Sequence, residues 1–247
     1  MSSKLKIDIN ADIGEGMGNE ALLMPYLSSC NIACGGHAGD FYTMKEVVQL
    51  AKKYNLKVGA HPSFPDKVNF GRKEMAMSHQ DLFKSLKSQI DDLLKIVKSE
   101  NLKLHHVKPH GALYNLAAKD ETTATIIIEV LNSYSEKLKL YVPPKSVISE
   151  VAKSKLIEVV FEGFADRNYN QDLSLVSRQK NNALITKKED VFSHVFNMIF
   201  NQKVKTLGGV EVALFIDSIC VHGDTKNAQE ILKYLYKNLK HNNIEIS

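Results

Sequence analysis

The sequence predicts an α/β fold, a seven-stranded parallel (βα) barrel with residues 1–247 as a single domain. Three observations lead there. Short apolar runs, each the length of a buried strand, alternate seven times with amphipathic helical stretches. With right-handed crossovers, that alternation gives a parallel sheet covered by helices. The chain length of 247 residues suits one barrel, a fold of about 250 residues. Finally, four runs end in a histidine set among glycine, proline or alanine: Ala33-Cys34-Gly35-Gly36-His37, Val58-Gly59-Ala60-His61, Val107-Lys108-Pro109-His110 and Cys220-Val221-His222. Ligands of parallel α/β folds bind outside the carboxyl ends of the strands, so these histidines are expected on one rim. Polar residues at strand ends from first to last favour closure, and no GxGxxG of an open dinucleotide-binding sheet follows strand one.

The elements follow in order. Strand one is Leu5–Asn10 or slightly longer, with a helix over 20–29 and strand two at 31–35. Asp40 is placed to cap the next helix, where Met44, Val47, Val48 and Ala51 recur at helical spacing. Strand three covers 57–60. A polar loop runs from Pro62 to Met77, and Ser78 with Asp81 resembles a capping box. Leu82, Leu86, Ile90, Leu93 and Val97 mark a long helix. Strand four is 103–108, followed by the helix of Ile127, Ile128 and Leu131. Strand five is Leu138–Val142, stopped by Pro143-Pro144. A short helix carries Val147, Ile148 and Val151, and strand six is Ile157–Phe161. An irregular segment spans 163–187. Then come the helix of Val191, Val195 and Ile199, strand seven at Ile216–Val221, and a last helix lined by Ile231, Leu232, Leu235 and Leu239.

Composition excludes several classes of function. The net charge of +4 is mild, and no basic stripe is interleaved with aromatics, which argues against nucleic acid as a partner. Cys30, Cys34 and Cys220 form no CxxC pair and no disulfide framework; Cys34 and Cys220 read as packing residues. No apolar run approaches the ~20 residues that span a bilayer, and the N-terminus has no signal-peptide core. The expectation is a cytoplasmic protein without a membrane partner. No GxSxG elbow, P-loop, linker, repeat or low-complexity segment is present.

Strand alternation puts Asp8, Asn10 and Asp12 on the inner face of strand one, with Ile7, Ile9 and Ala11 outward. Three inward polar groups need partners, either a ligand or a buried hydrogen-bond network. His106, Lys108 and His110 alternate in the same way on strand four. His105-His106 also reads as a partly exposed pair, whereas His110 stands at the strand end. An inward Lys108 is catalytic, anion-binding or paired with an aspartate of strand one. Gly36-His37-Ala38-Gly39-Asp40 would let backbone approach a ligand, with Asp40 otherwise a plain cap. Arg72, Asp166, Arg167, His222 and Asp224 fall at strand ends or in loops of the same rim, and Arg178 reads either as a phosphate binder or as a surface residue. For Asp166 and Arg167 the alternative is a mutual ion pair.

Six strings stand in order. They are Asp8-Ile-Asn10-Ala-Asp12-Ile-Gly14-Glu15-Gly16, Asn31-Ile-Ala-Cys34-Gly-Gly-His37-Ala-Gly-Asp40, Gly59-Ala-His61-Pro62, His106-Val-Lys108-Pro109-His110-Gly-Ala-Leu-Tyr114-Asn115, Phe164-Ala-Asp166-Arg167-Asn-Tyr169 and Ile219-Cys-Val-His222-Gly-Asp224. Together they resemble the LamB/YcsF family, the A subunits of 5-oxoprolinase, over nearly the whole chain. Where the family often has Phe before the first rim histidine, this chain has Gly36, which is expected to widen the pocket. The turn from Gly16 to Glu20 is shorter than in many members.

The resemblance implies a barrel of the glycoside hydrolase/deacetylase class. It also implies ATP-dependent opening of 5-oxoproline (pyroglutamate) to L-glutamate, together with 5-oxoprolinase subunits B and C. In that chemistry Lys108 would meet the developing negative charge and Asp12 or Asp8 would activate water. His37, His61 and His110 would shuttle protons or position substrate. The remaining substrate contacts would be Asn10, Glu15, Asp40, Arg72, Asp166, Arg167, His222 and Asp224. Two alternatives stay open. One is a metal-dependent amide hydrolase or deacetylase, with a divalent metal on Asp8, His37, His61 or His110. The other is a substrate-binding subunit without activity of its own.

Overall fold

The computed structural model describes residues 5–247; residues 1–4, on which the leader expectation partly rests, lie outside them. In chain order the elements are β1 (Lys6–Ile13), α1 (Glu20–Leu23) with a 3-10 turn (Met24–Tyr26), β2 (Ser29–Ala33), α2 (Phe41–Lys53), β3 (Lys57–His61), α3 (His79–Ser99) and β4 (Leu104–Val107). There follow α4 (Gly111–Ala117), α5 (Glu121–Asn132), β5 (Lys139–Val142), α6 (Val147–Ser154), β6 (Val159–Phe164), α7 (Lys188–Phe200), β7 (Lys203–Lys205), β8 (Glu211–Ala213), β9 (Ser218–Cys220), α8 (Ala228–His241) and β10 (Glu245–Ile246).

Strands β1 to β6 pair in sequence, β9 pairs with β6, and β1 pairs with β9. The result is a closed parallel barrel of seven strands, as the polar strand ends require. Register aligns Asn10 with Ser29 and Cys220, and Asp12 with Asn31. Six of the barrel strands are buried along almost their whole length, and β6 in its second half, because helices cover the outside and side chains fill the inside. Outward residues such as Ile7, Ile9, Val58 and Ile219 pack on Val47, Leu93, Leu232 and their neighbours in one continuous core. Asp40 caps α2 through Thr43 N–H at 2.8 Å and Ser78 caps α3 through Asp81 N–H at 3.1 Å, as their positions indicate.

Several boundaries differ from expectation. Strand one runs to Ile13, carrying Asp12 into the ladder. The first helix stops at Leu23 because Pro25 turns the chain into the 3-10 segment. Strand two begins at Ser29, two residues early. Strand six runs three residues past Phe161, to Phe164. Two helices follow β4 rather than one, since α4 starts directly at Gly111. The hairpin β7–β8 and the two-residue β10 beside β1 are additional to the seven strands. No helix among the described residues is long and apolar enough to cross a membrane.

Candidate active site

The barrel interior is a stack of polar layers rather than an apolar plug. At the amino end, Asp8 accepts hydrogen bonds from Ser28 and Ser29 at 2.7 and 2.8 Å, from the Tyr141 hydroxyl at 3.2 Å, and from Ser218. These four donors use the carboxylate deep below the mouth. Asp8, expected as a water activator or metal ligand, thus lies at the amino end of the barrel and not among the histidines of the mouth.

Above it, Asn10 donates to Glu162 Oε1 and Ser218 Oγ, both at 2.8 Å. Asn31 donates to Asn10 Oδ1 at 2.7 Å and Asp12 Oδ1 at 2.8 Å. His106 lies 2.8 Å from Asn31 Oδ1 and stacks on Tyr141. Because that oxygen only accepts, His106 Nε2 carries the proton. Asn10, expected as a substrate contact, and His106 are fully buried in this lattice, so His106 is not an exposed residue. Gly59 makes room for it: a Cβ there would lie 2.1 Å from His106 Nε2.

The next layer centres on Lys108, 2 % exposed. Its ammonium donates to Asp12 Oδ1 at 2.9 Å and Cys220 Sγ at 3.2 Å and pairs with Glu162 Oε1 at 2.9 Å. Burial opposes the charge, but Asp12 and Glu162 outweigh it and hold the Lys108 pKa well above the usual range. Burial likewise opposes ionisation of Asp12, and His61, once its Nε2 holds the ring's second proton, together with Lys108 overcomes it, keeping that carboxyl well below its usual value. Sequence reading missed Glu162. The signal was a single acidic residue inside the apolar run Val159-Val160-Phe161-Glu162-Gly163-Phe164.

At the mouth, the loops after β1, β2 and β4 and the end of β3 bring together Glu15, His37, His110 and His61. Their ligand atoms all lie within 4.8 Å of one another. His37 Nε2 is 2.9 Å from Glu15 Oε1, and His37 stacks face to face on His110 with ring centroids 3.6 Å apart. Burial lowers the pKa of His37 against the pull of Glu15. Burial, with His61 and His37 beside it, places that of His110 well below the ordinary value.

Tautomers follow from the carbonyls. His61 Nδ1 is 2.7 Å from the Lys108 carbonyl and His110 Nε2 is 3.0 Å from the Phe70 carbonyl. A carbonyl only accepts, so both nitrogens carry protons. The remaining nitrogens, His61 Nε2 and His110 Nδ1, face each other at 2.9 Å. Around them lie Asp12 Oδ2, 3.3 Å from His61, and Glu15 Oε1, 3.4 Å from His110. Four acceptor atoms therefore converge, a cluster that a cation or a shared proton must satisfy. The donor set fits a divalent ion: two imidazoles and a carboxylate, each imidazole held by a carbonyl behind it as metal-bound histidines are. In a second group, Asp12, Cys220 and His222, Asp12 and Cys220 already accept from the Lys108 ammonium.

His222 stands apart from the other three histidines. Its Nδ1 donates to Asp166 Oδ1 at 2.8 Å, and its ring stacks on Phe164. Asp166 also accepts from His222 N–H and from the Thr225 hydroxyl. Burial raises the Asp166 pKa, but His222 and Thr225 bring it below the usual value. Asp166, expected as a substrate contact, is thus engaged by His222 and Thr225 and makes no ion pair with Arg167. Asp40 is at the surface and spent on its cap. Arg72 reaches across the mouth to Asp224 at 2.6 Å, joined by Arg178 at 3.3 Å. Gly36 does not widen the pocket, because Gln89 and Ser63 fill the space beside it.

Comparisons with known proteins agree with this architecture. The chain is 42% identical to the A subunit of 5-oxoprolinase from Thermococcus sibiricus, over 98% of this chain and 97% of that protein. The crystal structure of the lactam utilization protein from Thermus thermophilus superposes with a TM-score of 0.92 at 38% identity, covering 98% of this chain and 99% of that one. A family 4 carbohydrate esterase from Streptomyces lividans shares the fold alone, at a TM-score of 0.50 and 11% identity over 98% of this chain and 91% of that one. Residues 7–247 match the LamB/YcsF family model; with relatives of this similarity along the full chain, the protein belongs to the LamB/YcsF family.

Proposed function

We propose that this chain is the A subunit of a cytoplasmic, multi-subunit 5-oxoprolinase that opens 5-oxoproline to L-glutamate at the barrel mouth. Relatives named for that activity supply the substrate. The observation that supports the chemistry is the convergence of Glu15, His37, His61 and His110 above the Asp12–Lys108 pair. A five-membered lactam is a stable amide, and ATP, used with subunits B and C, supplies activation by phosphorylating the amide oxygen.

The residues of this chain then do the rest. The acceptor cluster of His61, His110 and Glu15 takes a proton from the water that adds to the lactam carbon. Asp12 steadies His61 from below. All three Lys108 donors are committed, so Lys108 acts on developing negative charge as a fixed positive field rather than as a free hydrogen-bond donor. The C–N bond breaks, the ring nitrogen takes a proton from His222, whose Nδ1 is anchored by Asp166 in the manner of a general acid–base imidazole, and the acyl phosphate so formed is hydrolysed by a second water to L-glutamate and inorganic phosphate.

The four converging acceptors favour a second reading, a metal-assisted amide hydrolase. Glu15, His61 and His110 would hold a divalent ion that polarises the carbonyl and acidifies water. One assay separates the readings: purified chain with 5-oxoproline, with and without ATP and the partner subunits, followed by glutamate release. The proposal expects glutamate only when ATP and partners are both present. Glutamate from the chain alone without ATP supports the second reading, and none under any condition contradicts both.

A further inference from the structure

Arg72, Arg167 and Arg178 gather on one side of the barrel mouth. Asp224 Oδ2 alone receives both Arg72 Nη2, at 2.6 Å, and Arg178 Nη1, at 3.3 Å. Guanidinium forks suit a carboxylate bonded through both oxygens, so one shared oxygen leaves these donors under-used. Arg167 is 6 % exposed and donates through Nη2 to the Val176 carbonyl at 2.6 Å. Its buried Nε has no partner among the described residues, a costly state for a donor. Burial, then the neighbouring charge of Arg178, press the Arg167 pKa down to about 10. Asp166, the other nearby carboxylate, is occupied by His222 and Thr225. The side is also tied to the reacting centre. The Arg72 guanidinium lies 4.8 Å from the Phe70 ring centroid, and Phe70 packs edge-on against His37 and His110.

We propose that Arg72, Arg167 and Arg178 form the subsite for the carboxylate of the lactam acid, and that Asp224 is an internal carboxylate which the substrate's own displaces. This rests on the proposed 5-oxoproline reading and adds how the acid is recognised. A displaced competitor predicts an opposite sign from a scaffold: removing the Asp224 charge strengthens substrate binding, whereas loss of a scaffold weakens it.

The test is calorimetric titration of the full chain, alone and with its partner subunits. The ligands are 5-oxoproline, 2-pyrrolidone (the same ring without a carboxylate), acetate and inorganic phosphate. We expect 5-oxoproline to bind at least about 10-fold more tightly than 2-pyrrolidone, with Arg178→Ala erasing that gap. Asp224→Asn is expected to tighten 5-oxoproline binding by about 3- to 10-fold. Weaker binding by Asp224→Asn, or a gap that survives Arg178→Ala, overturns the proposal. If acetate binds as well as 5-oxoproline and both depend on Arg178, the carboxylate subsite stands and the lactam reading fails. Arg178 dependence for phosphate alone, or for no ligand, overturns the carboxylate assignment.

Discussion

His61 Nε2 and His110 Nδ1 lie 2.9 Å apart, and the tautomer of each ring leaves both as lone pairs. Glu15 and Asp12 add two carboxylates within 3.4 Å of one or the other. Such an arrangement draws a positive species. If that species is a divalent ion, protein equilibrated with zinc or cobalt and then desalted retains about one equivalent. His110→Ala should lower the affinity by more than about 100-fold, since even loss of a residue supporting a ligand costs 10–100-fold. Metal content and the visible spectrum of the cobalt form report this without any assay of turnover. Protein that retains no metal assigns the gap to a shared proton instead.

Lys108 is the only cation bonded to both Asp12 and Glu162 among the described residues. Lys108→Met leaves two buried carboxylates facing each other, so it costs stability as well as activity, by about 3–5 kcal/mol. Urea unfolding of Lys108→Met and of Lys108→Met/Glu162→Gln measures it. The double variant should recover a large part of the loss, and equal loss in both would show that charge pairing is not the cause.

Gly59 is set by His106. A Cβ at position 59 collides with the ring, and the ring is locked by Asn31 and Tyr141. Gly59→Ala should destabilise by about 3 kcal/mol or more, because overpacking and a broken buried network act together. Thermal unfolding that matches the parent protein would contradict the close approach.

His194, on α7 against Tyr169, gives a pH signature away from the mouth. Burial lowers its pKa to about 4, below the ~6.5 of an unfolded chain. The folded state therefore binds fewer protons between these values, and stability falls as pH drops from about 6.5 toward 4. For a half-buried ring the effect is of order 1–3 kcal/mol. Urea midpoints at pH 7 and 4.5 should fall less for His194→Gln than for the parent, and an unchanged drop would assign it elsewhere.

How much of this is legible in the sequence depends on the kind of signal. The fold and the shared rim are, because strand–helix alternation and strand-ending histidines are periodic. The inward set Asp8, Asn10 and Asp12 is legible as a face. Four residues of strand rise put Asp8 about 13 Å below Asp12, but which of the two is engaged by neighbours depends on partners from other strands. Glu15 reads from sequence as a substrate contact, yet it belongs with the histidines, because the turn after β1 folds it back over the mouth. Glu162 is a lone acid without a spacing pattern, and its role comes only from Lys108 on another strand. Asp166 shows the converse, since it is satisfied by His222 and Thr225, neighbours that only the folded chain reveals, whereas the cap made by Asp40 is legible from its place before the helix. The hairpin β7–β8 and β10 are too short to announce themselves.

The central claim is that the lactam opens at the His61–His110–Glu15 cluster. Its most direct test is ATP-dependent glutamate formation from 5-oxoproline by the chain assembled with its partner subunits, wild type against His61→Gln. The account predicts a fall of at least about 100-fold, with unfolding temperature and assembly unchanged. Activity within a few-fold of wild type would contradict it.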